Sequence, residues 1–88
     1  MFPKVLDGAQ VLYYTPKEHF GDILYTTGEI AAHVYYLAIC KYESSGTHYL
    51  FQCNSNYEVE GDSAWDSVEE CMSAASSYSK HIRWIKAE

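Results

Sequence analysis

The stretch Tyr49–Ala75, YLFQCNSNYEVEGDSAWDSVEECMSAA, decides the fold of this chain. It reads as a core strand, then an acidic connection, then a helix with a well-marked start. Ser67 is a good N-cap, because its hydroxyl can accept a bond from a free backbone N–H of the first turn. Glu70, three residues on, can bond back to the Ser67 amide and complete a capping box. Asp66, Glu69 and Glu70 crowd the positive end of the helix dipole. Ser63 and Asp66 make a second, weaker box one turn earlier. Val68, Cys71, Met72, Ala75 and Tyr78 then recur at helical spacing and form one apolar stripe. Lys80, His81 and Arg83 fall at or just past the helix end, where positive charge suits the exposed carbonyls.

Upstream of this stretch, Val34–Glu43 is the clearest strand, and Ser44-Ser45-Gly46 is a turn signal before His48–Cys53 returns. A two-residue tip at Ser45-Gly46 places Tyr42 opposite Tyr49, Cys40 opposite Phe51, and Ala38 opposite Cys53. Those six side chains share one face, because side chains alternate along strands. The other face pairs Glu43 with His48, Lys41 with Leu50, and Ile39 with Gln52. The helix stripe is expected on the first, wholly apolar face.

The remaining segments are less marked. Gln10–Pro16 reads as a first strand, rich in β-formers and ended by proline. Thr15-Pro16-Lys17-Glu18 has the form of a helix start, and a plain loop fits equally. Ile23–Thr27 is a short strand candidate, followed by a turn at Thr27-Gly28-Glu29. Asn54–Asp62 crosses to the helix, with Tyr57–Glu60 as a brief strand extension. His81–Ile85 is a candidate edge strand. The expected fold is α+β, with an antiparallel sheet of three to four strands and one long C-terminal helix packed on one face. Residues 1–88 make one domain.

Several segments together carry a resemblance. LYYTP (Leu12–Pro16), LAICKYE (Leu37–Glu43), YLFQCNSNYEV (Tyr49–Val59), DSVEE (Asp66–Glu70) and a late Trp84 occur in that order. The arrangement resembles a family of small, stand-alone bacterial proteins of uncharacterised function. The likeness covers most of the chain after residue 10. Tyr57 stands where the family often carries tryptophan, and Cys71 where alanine is common. The resemblance implies a bacterial or phage-like origin and a compact α+β domain. It supplies no catalytic residues.

Bulk properties narrow the function classes. Hydrophobic residues make up 48% and charged residues 20%, an ordinary globular balance that argues against disorder. The longest apolar run, Ile30–Cys40, is broken by His33 and is too short to span a bilayer. The N-terminus MFPKVLDGAQ lacks a signal-peptide core. Three cysteines, an odd number, point to reduced thiols rather than a disulfide framework. A cytoplasmic protein is expected. The net charge of −6 disfavours nucleic acid, whose phosphates need lysine and arginine, and an anionic membrane surface.

No catalytic, metal or cofactor motif stands out. The cysteines and histidines lack the close spacing of a zinc site. Cys71 lies in the first helical turn, but Glu69 and Glu70 oppose a thiolate and the periodicity points it inward. Six tyrosines (Tyr13, Tyr14, Tyr35, Tyr36, Tyr42 and Tyr49) lie in strand patterns, and sheet packing is the ordinary explanation. The sharper one is an exposed aromatic face built from Tyr35, Leu37, Ile39 and Leu50, which a small ligand or a second copy of the chain could cover. The charge distribution is the one global asymmetry. No lysine or arginine lies between Tyr42 and Ser79, an interval holding seven acids. Glu58, Glu60, Asp62, Asp66 and Glu69 are the expected partner-binding residues, presenting an acidic edge to a basic protein. The first-ranked function is therefore a non-enzymatic interaction or inhibitory module of the immunity or anti-defence type. A small-molecule-binding or regulatory domain ranks second. An enzyme using Cys71 or a histidine ranks third.

Overall fold

The structure is a computed structural model that describes every residue from Met1 to Glu88. Its elements run β1 (Val5–Leu6), β2 (Ala9–Tyr14), β3 (Gly21–Leu24), β4 (Ile30–Val34), β5 (Tyr36–Lys41), β6 (His48–Cys53), β7 (Val59–Trp65), α1 (Val68–Ala75) and β8 (Ile85–Lys86). The main sheet is antiparallel with the order β1-β2-β5-β6-β7, and β8 also pairs with β2. Strands β3 and β4 form a separate two-stranded sheet.

This corrects the expected fold class. Strands occupy 43% of the chain, the main sheet is curled like a half-barrel rather than being a three- or four-stranded layer, and the one helix spans only eight residues. Strand β4 (Ile30–Val34) has no counterpart in the expected fold, and three further strand features escape it, each for a local reason. Leu6 pairs with Ala9 across Asp7 (φ 48°) and Gly8 (φ 81°). This is an Asp-Gly hairpin, in which both central residues take positive φ and match the sheet twist. Val34–Glu43 is not one strand. The chain leaves one sheet at Val34 and enters the other at Tyr36, while the Tyr35 amide bonds the Cys53 carbonyl at 2.8 Å. The acidic connection is strand β7. Glu60, Gly61, Asp62 and Ser63 are poor β-formers, but alternate residues from Val59 to Trp65 turn towards the protein and the others stay exposed.

The β5–β6 register differs from the expected one by two residues. Cys40 lies opposite Tyr49, Ala38 opposite Phe51, and Tyr36 opposite Cys53. The loop is longer than two residues, running from Tyr42 to Thr47, and the Ser45 amide bonds the Tyr42 carbonyl. A shift of two preserves the faces, so Ala38, Cys40, Phe51 and Cys53 still share a side.

The helix lies on the opposite side from the one expected. Cys71 and Ala75 are buried with Phe20, Val34, Leu37, Ile39 and Leu50, and Val68, Met72 and Tyr78 pack against them. The Gln52 side chain on this face is satisfied by a hydrogen bond to the Tyr78 hydroxyl. The other face buries Ala9, Val11, Ala38, Cys40, Phe51 and Cys53 with Leu6 and Phe2. Apart from Phe2, these residues all belong to the sheet. The sheet therefore buries this face by curling over it, helped by register irregularities between Val11 and Tyr13 in β2 and between Gln52 and Cys53 in β6. Phe2 plugs the curl, stacked on Tyr14 at 4.6 Å and edge-on to Tyr36 and Tyr57.

Helix α1 begins as its sequence indicates. The Ser67 hydroxyl accepts from the Glu70 amide at 3.1 Å. The Glu70 carboxylate, however, accepts from the Asp66 amide at 3.0 Å rather than from Ser67. The helix stops at Ala75, short of Tyr78. The hydroxyls of Ser76 and Ser77 donate to the carbonyls of Ser73 and Ala74, a local alternative that competes with helix propagation. Lys80, His81 and Arg83 therefore lie beyond the last turn, which holds no basic residue. The segment Thr15–Glu18 is a loop, and the C-terminal strand is the two-residue β8.

The cap geometry yields a stability prediction. Ser67→Ala should cost about 1 kcal/mol, the usual value of a lost N-cap. Glu70→Ala should cost less, and the double variant should be less than additive because the two groups share one cap. Urea midpoints of the three variants test this, and an unaffected Ser67→Ala midpoint would remove Ser67 as the cap.

Candidate functional site

The five acids expected to meet a partner are all exposed, and they lie along one continuous path through β7 into the start of α1. Glu60 and Asp62 are both exposed in β7, Asp62 opposite Phe51 and Glu60 in the register irregularity between Val59 and Gly61. Strand β7 ends the sheet order, so no strand pairs with its outer side. The ion pairs of the protein involve only Asp22 with His19 and His33, which leaves the acidic path without a basic partner. Glu58 is held in place locally. The Asn54 side chain donates to the Glu58 carboxylate at 3.0 Å and accepts from the Asn56 and Glu58 amides. These bonds fix the turn that carries Tyr57 at φ 64°.

The aromatic sheet face is not available as a surface. Leu37 and Ile39 have no exposed area and Leu50 only 1%, because α1 and the β3–β4 hairpin cover them. A dimer through that face, and a ligand bound on it, both lose the surface that motivated them. Exposed apolar side chains gather instead at the hairpin tip, where Leu24, Tyr25 and Ile30 are each more than half exposed.

The three thiols are buried and free. Burial, reinforced by neighbouring thiols and acids, pushes Cys40 and Cys53 up to about 12. Burial and the adjacent Glu70 push Cys71 up to about 11. A thiol held protonated at neutral pH is a poor nucleophile and a poor metal ligand.

The fold assembles one constellation that the sequence reading did not contain. His19, Asp22 and His33 converge on the hairpin, with one ligand-type atom from each lying within 4.8 Å of the others. The His19 Nε2 is 2.9 Å and the His33 Nδ1 2.5 Å from the same Asp22 Oδ1. These hydrogen bonds, His19 first and His33 second, hold the Asp22 carboxyl below the ordinary carboxylate range. Asp22 and His33 are directly opposed across β3 and β4. His19 is returned over them by Gly21, whose φ of 141° disfavours any side chain. Two backbone bonds flank His19, from Glu18 to the Tyr35 carbonyl and from Phe20 to the Val34 carbonyl. The Tyr35 ring lies 5.5 Å from the His19 ring and carries Lys17 above its face. The two histidines are far apart in sequence and match no ligand spacing. The available signal was the turn at Thr27-Gly28-Glu29, which brings Ile30–Val34 back along β3, but the register shift between Ile23 and Leu24 is what sets His33 opposite Asp22.

The thiol environments make a chemical prediction. In the folded protein an alkylating reagent near neutral pH should label none of the three cysteines, and all three should react once it is unfolded. Because the folded values lie above the ordinary value of 9.0, the unfolded chain releases these protons first. Stability from the buried thiols is therefore complete below about pH 9 and falls as pH rises towards 11–12. The urea midpoint should drop as pH rises from about 9 to 11, less steeply in a Cys53→Ala variant. Rapid labelling of native Cys71 would restore it as a nucleophile.

No family model, curated protein or solved structure matches this chain in comparison.

Proposed function

We propose that this chain is a non-enzymatic interaction module, of the immunity or anti-defence type, that presents its acidic β7 edge to a basic segment of a partner protein. One observation carries the reading. Glu60 and Asp62 stand exposed on an edge strand whose outer backbone is unpaired by any strand, and neither meets a lysine or arginine. An open edge accepts an added strand through main-chain hydrogen bonds, and alternate side chains then give specificity. A strand carrying lysine or arginine would set its charges beside Glu60 and Asp62. Glu58, Asp66 and Glu69 extend the negative field at both ends of β7 and steer a basic partner towards it. The same charges keep the edge from pairing with a second copy of itself.

The motif order supports placing the chain among the small, stand-alone bacterial proteins that it resembles. Three buried, unpaired thiols support a reducing, cytoplasmic setting. An enzyme using Cys71 loses its nucleophile, since Cys71 has no exposed area.

The test uses defined peptides and backbone amide resonances. An extended peptide alternating lysine with valine should perturb the amides of Gly61–Trp65, and its glutamate counterpart should not. The response should fade at about 0.5 M salt, where charges are screened within a few ångströms. A Glu60→Lys/Asp62→Lys variant should fold with nearly wild-type stability, since unpaired surface charges contribute little, yet lose the response. Equal binding of the basic peptide to that variant would show that the edge is only solvated surface.

A further inference from the structure

We propose that His19, Asp22 and His33 form a binding site for a divalent first-row transition ion such as Zn²⁺. The site is independent of the acidic β7 edge. The donors are two imidazole nitrogens and one carboxylate oxygen, a set that suits zinc and its neighbours. Calcium and magnesium favour oxygen-only shells and are disfavoured here.

The geometry is close to what an ion requires. Around a tetrahedral ion with bonds near 2 Å, ligand atoms sit roughly 3.3 Å apart. Each ring nitrogen already lies within 3 Å of Asp22 Oδ1, and the three donor atoms span no more than 4.8 Å. An ion entering between them needs the donors to part by less than 1 Å on each imidazole–carboxylate side, by the same tetrahedral spacing of about 3.3 Å. Side-chain rotation of exposed residues supplies that without moving the backbone.

The backbone holds the donors in place beforehand. Asp22 and His33 are fixed by strand register. His19 sits between two anchored amides, and the next residue, Phe20, is 7% exposed in the helix-side core. The histidine side chains are about half exposed, at 53% and 50%, so an ion has an open approach and solvent completes its shell. Binding would have a mechanical consequence. An isolated two-stranded hairpin is marginal in water, and an ion joining the Thr15–Phe20 loop to both β3 and β4 would staple it.

Titration with zinc chloride alone, followed by calorimetry and by the imidazole resonances of His19 and His33, tests the site. Saturable 1:1 binding should broaden or shift both imidazoles and raise the melting temperature, since a ligand of the folded state stabilises it. Magnesium and calcium should do neither. His19→Ala, His33→Ala and Asp22→Asn should each weaken zinc binding by at least the roughly 10–100-fold lost when a supporting group is removed. These are exposed positions, so far-ultraviolet circular dichroism should stay unchanged. Gly21→Ala should weaken binding too, by displacing His19 while leaving every donor present. Zinc affinity undiminished in a His19→Ala/His33→Ala variant, or the absence of any imidazole response, overturns the proposal.

Discussion

The burial of β5 on both faces is the constraint on which the rest of the structure depends. From Tyr36 to Cys40 every residue is buried. A strand of this kind needs cover on two sides, and this short chain provides it by different means. On one side the sheet curls over its own small residues and takes Phe2 as a plug. On the other, a short helix and a two-stranded hairpin lie side by side. Each Å² of apolar area removed from water contributes roughly 25 cal/mol, so leaving either face of β5 open would forfeit a large part of a small domain's stability.

This division of labour creates the hairpin's role. The helix is too short to cover Leu37, Ile39 and Leu50 alone, and Phe20, Ile23 and Val34 complete the layer. The hairpin is thus a lid on the core at its base and a projecting element at its tip. Its inward side is apolar, and strand alternation puts Asp22 and His33 on the outward side. The proposed ion site therefore follows from a packing requirement: burying Ile23 and Val34 turns their neighbours out together.

The charge distribution has a similar origin. A meander of antiparallel strands ends in an edge, and β7 is that edge. An edge with free backbone groups invites pairing, and natural sheets protect it with charge. Here protection and recognition are compatible, because like charge repels another copy of the edge and opposite charge attracts a basic strand.

Local signals in the sequence determined what depends on local chemistry. The Ser67 cap, the apolar stripe from Val68 to Tyr78, the strand cores of β2, β5 and β6, and the inward direction of Cys71 were all legible, because caps and periodicities are set by neighbouring residues. The exposure of Glu58, Glu60, Asp62, Asp66 and Glu69 followed from charge alone. Tertiary structure decided what depends on distance along the chain. Both faces of β5 are apolar, so periodicity alone could not choose which one the helix covers, and packing placed it against Leu37, Ile39 and Leu50. Polar composition hid β7, whose strand character comes from its pairing with β6. His19, Asp22 and His33 meet only because β3 and β4 pair across a turn and Gly21 bends the chain back. No sequence spacing encodes that encounter, since it is fixed by a hydrogen-bond register that exists only once the core beneath it has formed.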